Sequence, residues 1–290
     1  MKLNPWIASA AIVLSAGSLF AQTPATTPPA ATPPAAAAVT PAPVVVKNVI
    51  PDIKARGKLV VGVKYNVPLF GQNNPITKRV EGLDADIARA FAKALLGSED
   101  KLELVEAISA NRVPFLQEDK VDLVASTMTI TEDRKKQIDM SDVYYVAGQS
   151  LLVPKGSPIK SVTDLAGKTV STAQGSTSEK TLVEKAPTSK PLLFKGYSEC
   201  FEALKNNQAD AMTTDDAILL GFKATAPDKY ELVGGQFTSE PYGIGIKKGH
   251  PDLLAFVNAE LAKMKADGRW KAIYDKNIKP VSGVSIDPPK

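Results

Sequence analysis

VDLVASTMTITEDR, residues 121–134, decides how the chain folds. A short apolar run, residues 121–125, passes into small hydroxylic residues and then into charge, the pattern of a buried strand that ends at an open edge. Its closing stretch, residues 126–134, gathers hydroxyls, strand-end N–H groups and a guanidinium five residues after Thr129, a natural grip for a small carboxylate. On these residues alone the run EDRKK around Arg134 reads equally well as a solvated helix face.

Upstream, the same grammar of strand and helix leads into this stretch. KLVVGV (58–63) and KLELVEA (101–107) read as buried strands. GLDADIARAFAKALLG (82–97) reads as a helix with Leu83, Ile87, Ala90, Phe91, Ala94 and Leu95 on its apolar face, acids in its first turn and Gly97 as its stop. NRVPFLQED (111–119) is a short helix that tolerates Pro114 in its first turn. Downstream the alternation repeats: KTVSTA (168–173), KPLLFKGY (190–197) and ADAMTTD (209–215) as strands, each followed by a helix, STSEKTLVEKA (176–186), SECFEALKNN (198–207) and DDAILLGFKA (215–224). Such alternation predicts α/β lobes built on mostly parallel sheets with helices on both faces, and places ligand contacts just beyond the carboxyl ends of the strands.

Two extended apolar segments, YYVAGQSLLVPKG (144–156) and SEPYGIGIKKG (239–249), carry the chain into the second lobe and back. PDLLAFVNAELAKMKADGRW (251–270) then reads as a final amphipathic helix on the first lobe. A double crossover makes a hinge, and a hinge between lobes makes a cleft that closes on a ligand. The expected divisions are residues 47–148 for the first part of lobe one, 149–239 for lobe two, and 240–290 for the return to lobe one with the C-terminal helices.

Composition narrows the function. With 290 residues, 44% of them hydrophobic, the chain can bury two cores. A formal charge of +4, with bases and acids interspersed, lacks the basic stripe of a nucleic-acid binder. Lys2, the apolar run from Trp6 to Phe20 and the small residues up to Ala21 predict a cleaved export signal over residues 1–21, since the run falls short of the ~20 residues of a spanning helix. Residues 22–46, in which 20 of 25 are Pro, Ala or Thr, form a semi-rigid linker. Cys200 is the only cysteine, so neither an intramolecular disulfide nor a lipid-anchoring cysteine near the N-terminus is available. The only histidine, His250, sits in the turn KKGHPD, which leaves no histidine-based triad and no histidine-rich zinc site, and no cofactor motif is visible.

GLDADIARAFAKAL resembles the signature of the bacterial family 3 extracellular solute-binding proteins, the amino-acid receptors of ABC importers, and departs from it only at Ala85 and Phe91, both core positions. TMTITEDRKKQIDMSDVYY (127–145) resembles the ligand loop and following strand of that family. ANRVPFLQ, AQGSTSEK, YSECFEAL, TTDDAILLGF and YGIGIKKG, in that order, are similar to its glutamate- and aspartate-binding branch. The resemblance runs from Ile53 to Asn277 and implies the two-lobed type II periplasmic-binding-protein fold. It further implies a monomer that takes a free amino acid, glutamate or aspartate, in the periplasm and delivers it to a membrane permease, without a lipid anchor and without making or breaking a bond. Binding of another polar amino acid such as glutamine, and an exported dehydratase or lyase on the same fold, are the alternatives.

The family pattern assigns Arg134, with the Thr129 amide and hydroxyl and the Thr127 backbone, to an α-carboxylate, and Asp215 to the α-ammonium. Read without the family, Asp215 or Asp216 caps the helix that follows. Ser176 and Glu179 fit a capping box, whose free amides, with Thr177, also suit a carboxylate. Arg112 and Lys64, each just after a strand, match the basic positions of the acidic-amino-acid branch and are expected on a side-chain carboxylate. Ser109, Tyr197 and Tyr242 match supporting hydroxyl positions, core packing being the other reading for both tyrosines.

Overall fold

The computed structural model describes residues 44–290, so the expected export signal and residues 22–43 of the expected linker lie outside the described residues. Residues 44–46 are exposed and irregular, and the chain is first tied down where Lys47 N–H donates to Gly249 O (2.8 Å). A helix then forms at Ile50–Arg56, started by Pro51 and closed by Gly57 in the left-handed region. At seven residues this helix is too short for a periodic apolar face to show in the sequence.

The first lobe is a five-stranded sheet in the spatial order Leu102–Glu106, Leu59–Val63, Leu123–Val124, Gly245–Lys247 and Ile138–Met140. The first three strands are parallel, with Val61 facing Leu104 on one side and Leu123 on the other. Gly245–Lys247, the returning chain, runs antiparallel to both its neighbours. The second lobe repeats this plan: Lys190–Phe194, Thr169–Ala173 and Ala211–Asp215 are parallel, Gln149–Pro154 is inserted antiparallel, and Tyr230–Val233 closes the edge. Each sheet is therefore mostly parallel with one reversed strand, and that strand is where the chain enters or leaves the lobe.

The crossings pair with each other. Tyr145–Ala147 and Glu240–Tyr242 form a two-stranded antiparallel ladder, with Tyr145 opposite Tyr242 and Ala147 opposite Glu240. Trp270, fully buried, locks this ladder by donating its indole N–H to Tyr144 O (2.7 Å), and the Trp270, Tyr274, Tyr145 and Tyr242 rings form a continuous stack beside it.

Three expectations change. The helix Leu83–Leu96 buries Leu83, Asp84, Ala85, Ile87, Ala88, Phe91 and Ala92, whereas Ala94, placed on the apolar face by periodicity, is exposed. The buried stripe is rotated by more than half a turn-step, because many small alanines flatten the contrast on which periodicity depends, and the rotation carries Asp84 into the core. The single C-terminal helix is two, Pro251–Ala266 and Arg269–Asn277, broken at Gly268 with φ +84°. The last turn of helix, Lys279–Ser282, lies against Asp216–Ala224 of the second lobe, so the C-terminal segment is not confined to lobe one.

A small meander of Asn66–Val67, Gly71–Asn73 and Val80–Glu81 was also unread, its strands being too short to show alternation. It fixes the start of the Leu83–Leu96 helix through Gly82, whose φ of +130° is open to glycine alone and where an added Cβ would stand 2.3 Å from the Phe70 carbonyl. Gly82→Ala is expected to lower the thermal midpoint by several degrees, as a change of about 2–4 kcal/mol would in a chain of this size, checked by scanning calorimetry.

Candidate functional site

The carboxyl ends of both sheets face one another across the hinge, and the side chains gathered there are polar and buried. Arg112 opens the helix Arg112–Gln117 and is 2% exposed. Its Nε donates to Ser109 O (3.2 Å) and its Nη1 to both Ser126 O and Thr127 O (2.9 Å each). Lys64, 3% exposed, donates from Nζ to Ser109 Oγ, Ser126 O and Ser126 Oγ, all at 3.3 Å, and lies 5.7 Å from the Tyr197 ring centroid. Burial, followed by the Arg112 charge, pushes the Lys64 amine well below the ordinary lysine range, and burial also lowers Arg112.

Thr129 is held by its backbone. It forms an antiparallel bridge with Tyr242, flanked by Ile130 N–H to Pro241 O (2.7 Å) and Gly243 N–H to Met128 O (3.0 Å). Since the residues on either side supply those bonds, the N–H and C=O of Thr129 point the other way, toward the cleft. The C=O accepts Arg134 Nη1 at 2.6 Å, while Thr131 caps the helix Glu132–Gln137 by accepting Arg134 N–H (3.2 Å). Arg134 is thus positioned at both ends, and burial, reinforced by Arg112, brings it down to about 9.

Thr127 departs from its expected role. Its N–H donates to Asp84 Oδ2 (2.8 Å) and its C=O accepts Arg112, so its backbone serves the protein itself and only the hydroxyl remains for a ligand. A φ of +43° makes that double use possible. Asp84, which also accepts the Tyr144 hydroxyl (2.7 Å), is the organiser that the sequence reading missed; burial raises it to about 6 against the pull of those two donors.

In the second lobe Ser176 caps the helix Thr177–Lys185, accepting Glu179 N–H (3.1 Å) and donating to Ala173 O (2.6 Å). The reciprocal half of the expected capping box shifts by one residue: Glu179 Oε2 accepts Gly175 N–H (2.6 Å) rather than that of Ser176. Asp215 occupies the N-cap position of Asp216–Ala224 but makes no capping bond. Its Oδ2 accepts the Tyr242 hydroxyl, and its Oδ1 is buried with no partner among the described residues. Asp216 is spent on Gly148 N–H and Gln236 Nε2. Burial first, and then the charge of Glu240, raise Asp215 to about 7.

The lobes meet across this site. Thr129 Oγ1 and Thr177 Oγ1 are 3.4 Å apart, and Lys180 pairs with Asp133 at 3.1 Å on the surface. A cleft of about 550 Å³ runs between them, lined by Ser109, Thr129, Arg134, Ser176, Thr177 and Glu240 among others. Thr127, Lys64, Arg112, Tyr197, Tyr242 and Asp215 are buried and do not line it. Tyr242 packs against Phe70 and Tyr145 and donates its hydroxyl to Asp215, while Tyr197 is buried beside Lys64. Three cations, Lys64, Arg112 and Arg134, therefore stand among three carboxylates, Asp84, Asp215 and Glu240.

Gly175, at φ +74°, sits where a Cβ would approach Ala110 of the opposite lobe to 2.7 Å. Gly175→Val is expected to hold the lobes apart and weaken ligand binding at least tenfold, and to lower ligand-free stability by about 1–2 kcal/mol through the left-handed backbone, read by calorimetric titration and thermal unfolding. Asp215 has a folded value above its unfolded one of about 4, so the folded chain binds the extra proton, and stability falls as pH rises from about 4 to about 7. Asp215→Asn is expected to remove that loss, stabilising the ligand-free protein on the order of 3 kcal/mol at pH 8 and little at pH 4, measured by urea unfolding.

The profile of the bacterial extracellular solute-binding proteins, family 3, matches residues 59–280. A glutamine-binding protein of an ABC transporter in Bacillus subtilis is 50% identical over 234 residues, covering 80% of this chain and 85% of its own. The glutamate/aspartate import solute-binding protein of Salmonella typhimurium is 31% identical, over 78% of each. Among solved structures, the solute receptor for L-cysteine of Neisseria gonorrhoeae superposes with a TM-score of 0.79 at 33% identity, covering 83% of this chain and 99% of its own. An ancestral arginine-binding protein bound to glutamine gives 0.72 at 41% identity, over 77% and 98%. The architecture described above is the type II periplasmic-binding-protein fold expected from the sequence.

Proposed function

Because the chain belongs to the bacterial extracellular solute-binding proteins of family 3, we propose that it closes on a free neutral polar amino acid, L-glutamine first, and delivers it to the permease of an ABC importer. The observation that carries this reading is the balance of charge in the site. Lys64 by its amine and Arg112 by Nε and Nη1, both expected to answer a side-chain carboxylate, are already bonded to the Ser109, Ser126 and Thr127 oxygens, and the formal charges of three basic groups, Lys64, Arg112 and Arg134, are matched by those of three acids, Asp84, Asp215 and Glu240. A zwitterion with an uncharged side chain leaves that balance intact, whereas glutamate or aspartate adds a desolvated negative charge. The 50% identity to a glutamine-binding protein, against 31% for a glutamate/aspartate one, supports the same side. Arg134 and the Thr129 and Thr177 groups take the α-carboxylate, Asp215 takes the ammonium, and Ser109 and Tyr197 border the side chain. This reading keeps the expected periplasmic location, export signal and monomeric state, with ligand-driven lobe closure as the signal to the permease.

Calorimetric titration is expected to show L-glutamine binding at least tenfold more tightly than L-glutamate or L-aspartate; the reverse order returns the site to the acidic amino acids. Arg134→Ala is expected to weaken glutamine 10–100-fold while leaving the ligand-free thermal midpoint nearly unchanged, as loss of a charge-assisted contact does. Mass spectrometry of the bound amino acid is expected to recover it unaltered, and any product would favour the dehydratase or lyase alternative.

A further inference from the structure

Glu240 is an acid that neither the hinge ladder nor the cation grip requires. It is 4% exposed and lines the cleft together with Arg134. Oε1 accepts the Thr238 hydroxyl at 2.8 Å, and Thr238 Oγ1 in turn accepts Gln149 N–H at 3.0 Å, so a strand of the second lobe orients the carboxylate. Oε2 is buried and has no partner among the described residues. Leaving one oxygen of a buried carboxylate bare is costly unless something else supplies a donor. Asp215 Oδ1 is bare in the same way, and Glu240 is the foremost charge acting on Asp215 while also acting on Arg134. Two neighbouring carboxylates, one on the hinge and one at the end of a second-lobe strand, are thus each left with one buried oxygen that lacks a partner among the described residues. An ammonium group has three N–H donors and can satisfy both.

We propose that Glu240 is a second anionic acceptor for the α-ammonium of the ligand, shared with Asp215. The proposal rests on the reading of the site as one for a free amino acid. It explains why an acid stands on the hinge strand where its charge opposes that of Asp215: the repulsion between the two is relieved when a cation enters between them. The charged and titratable groups that act on Asp215 are Glu240, Tyr242 and Tyr145 from the hinge, Asp216 from the adjoining helix, Tyr197 from the second lobe, and Lys64, Arg112 and Arg134 from lobe one, Arg134 sharing the cleft lining with Glu240.

The test compares wild type with Glu240→Gln, which retains an oxygen for Thr238, by calorimetric titration of L-glutamine at pH 7 in phosphate and in Tris, buffers whose ionisation enthalpies differ. Wild type is expected to release protons on binding, because burial and the Glu240 charge hold Asp215 well above the ordinary carboxylate range before the ammonium binds. Glu240→Gln is expected to bind 10–100-fold more weakly and to release almost none, with the ligand-free thermal midpoint unchanged or raised. Unchanged affinity overturns the proposal, and so does weaker binding with undiminished proton release, the mark of a purely structural role. If another amino acid binds in place of glutamine with the same wild-type and variant behaviour, the glutamine reading fails and the role of Glu240 stands. If no amino acid binds wild type, both fail.

Discussion

The Asp215 carboxylate, buried at the end of the strand Ala211–Asp215 with only the Tyr242 hydroxyl on one of its oxygens, is the constraint around which the rest of the molecule is arranged. Charge withdrawn from water needs an opposite charge or several donors, and here the protein supplies one donor. That donor belongs to the strand returning to lobe one, so a charge in the second lobe is held by a residue of the hinge. Trp270 on the Tyr144 carbonyl and the packed tyrosine rings stiffen the ladder that carries Tyr242.

On the facing side the protein uses its cations sparingly. Lys64, and Arg112 through Nε and Nη1, bond to carbonyls and hydroxyls at strand ends and so buttress the wall of the site, while Arg134 stays half-buried at the cleft with Thr129 as its fixed point. Asp84 holds Thr127 in a left-handed conformation behind them. Small groups meet where the lobes approach, Gly175 against Ala110 and Thr129 against Thr177, which lets a ligand of amino-acid size complete the contact between them.

Misplaced expectations trace to definite physical causes. Thr127 was expected to offer its backbone to a carboxylate, but a residue buried one helix away had already taken it. Asp84 was overlooked because an alanine-rich helix shows a weak apolar stripe, and a modest rotation of that stripe moves an acid from surface to core. Glu240 sits in a segment legible as a crossing strand, yet nothing in SEPYGIGIKKG tells which of its side chains turns inward.

What the sequence determined by itself was the order of strands and helices, the two lobes, the crossing segments and the family, since these follow from local periodicity, turn residues and motifs read along the chain. It also named Arg134, Thr129, Asp215, Ser176 and Thr177 as residues at strand ends and helix starts, positions that alternation alone makes predictable. Only the tertiary structure decided how the charges were spent. Whether Lys64 and Arg112 are free for a ligand depends largely on the Ser126 carbonyl, 62 and 14 residues from them in the chain, and whether Asp215 and Glu240 repel one another depends on how a strand end and a hinge strand are brought together. Desolvation acts on neighbours in space, and sequence separation carries no record of them.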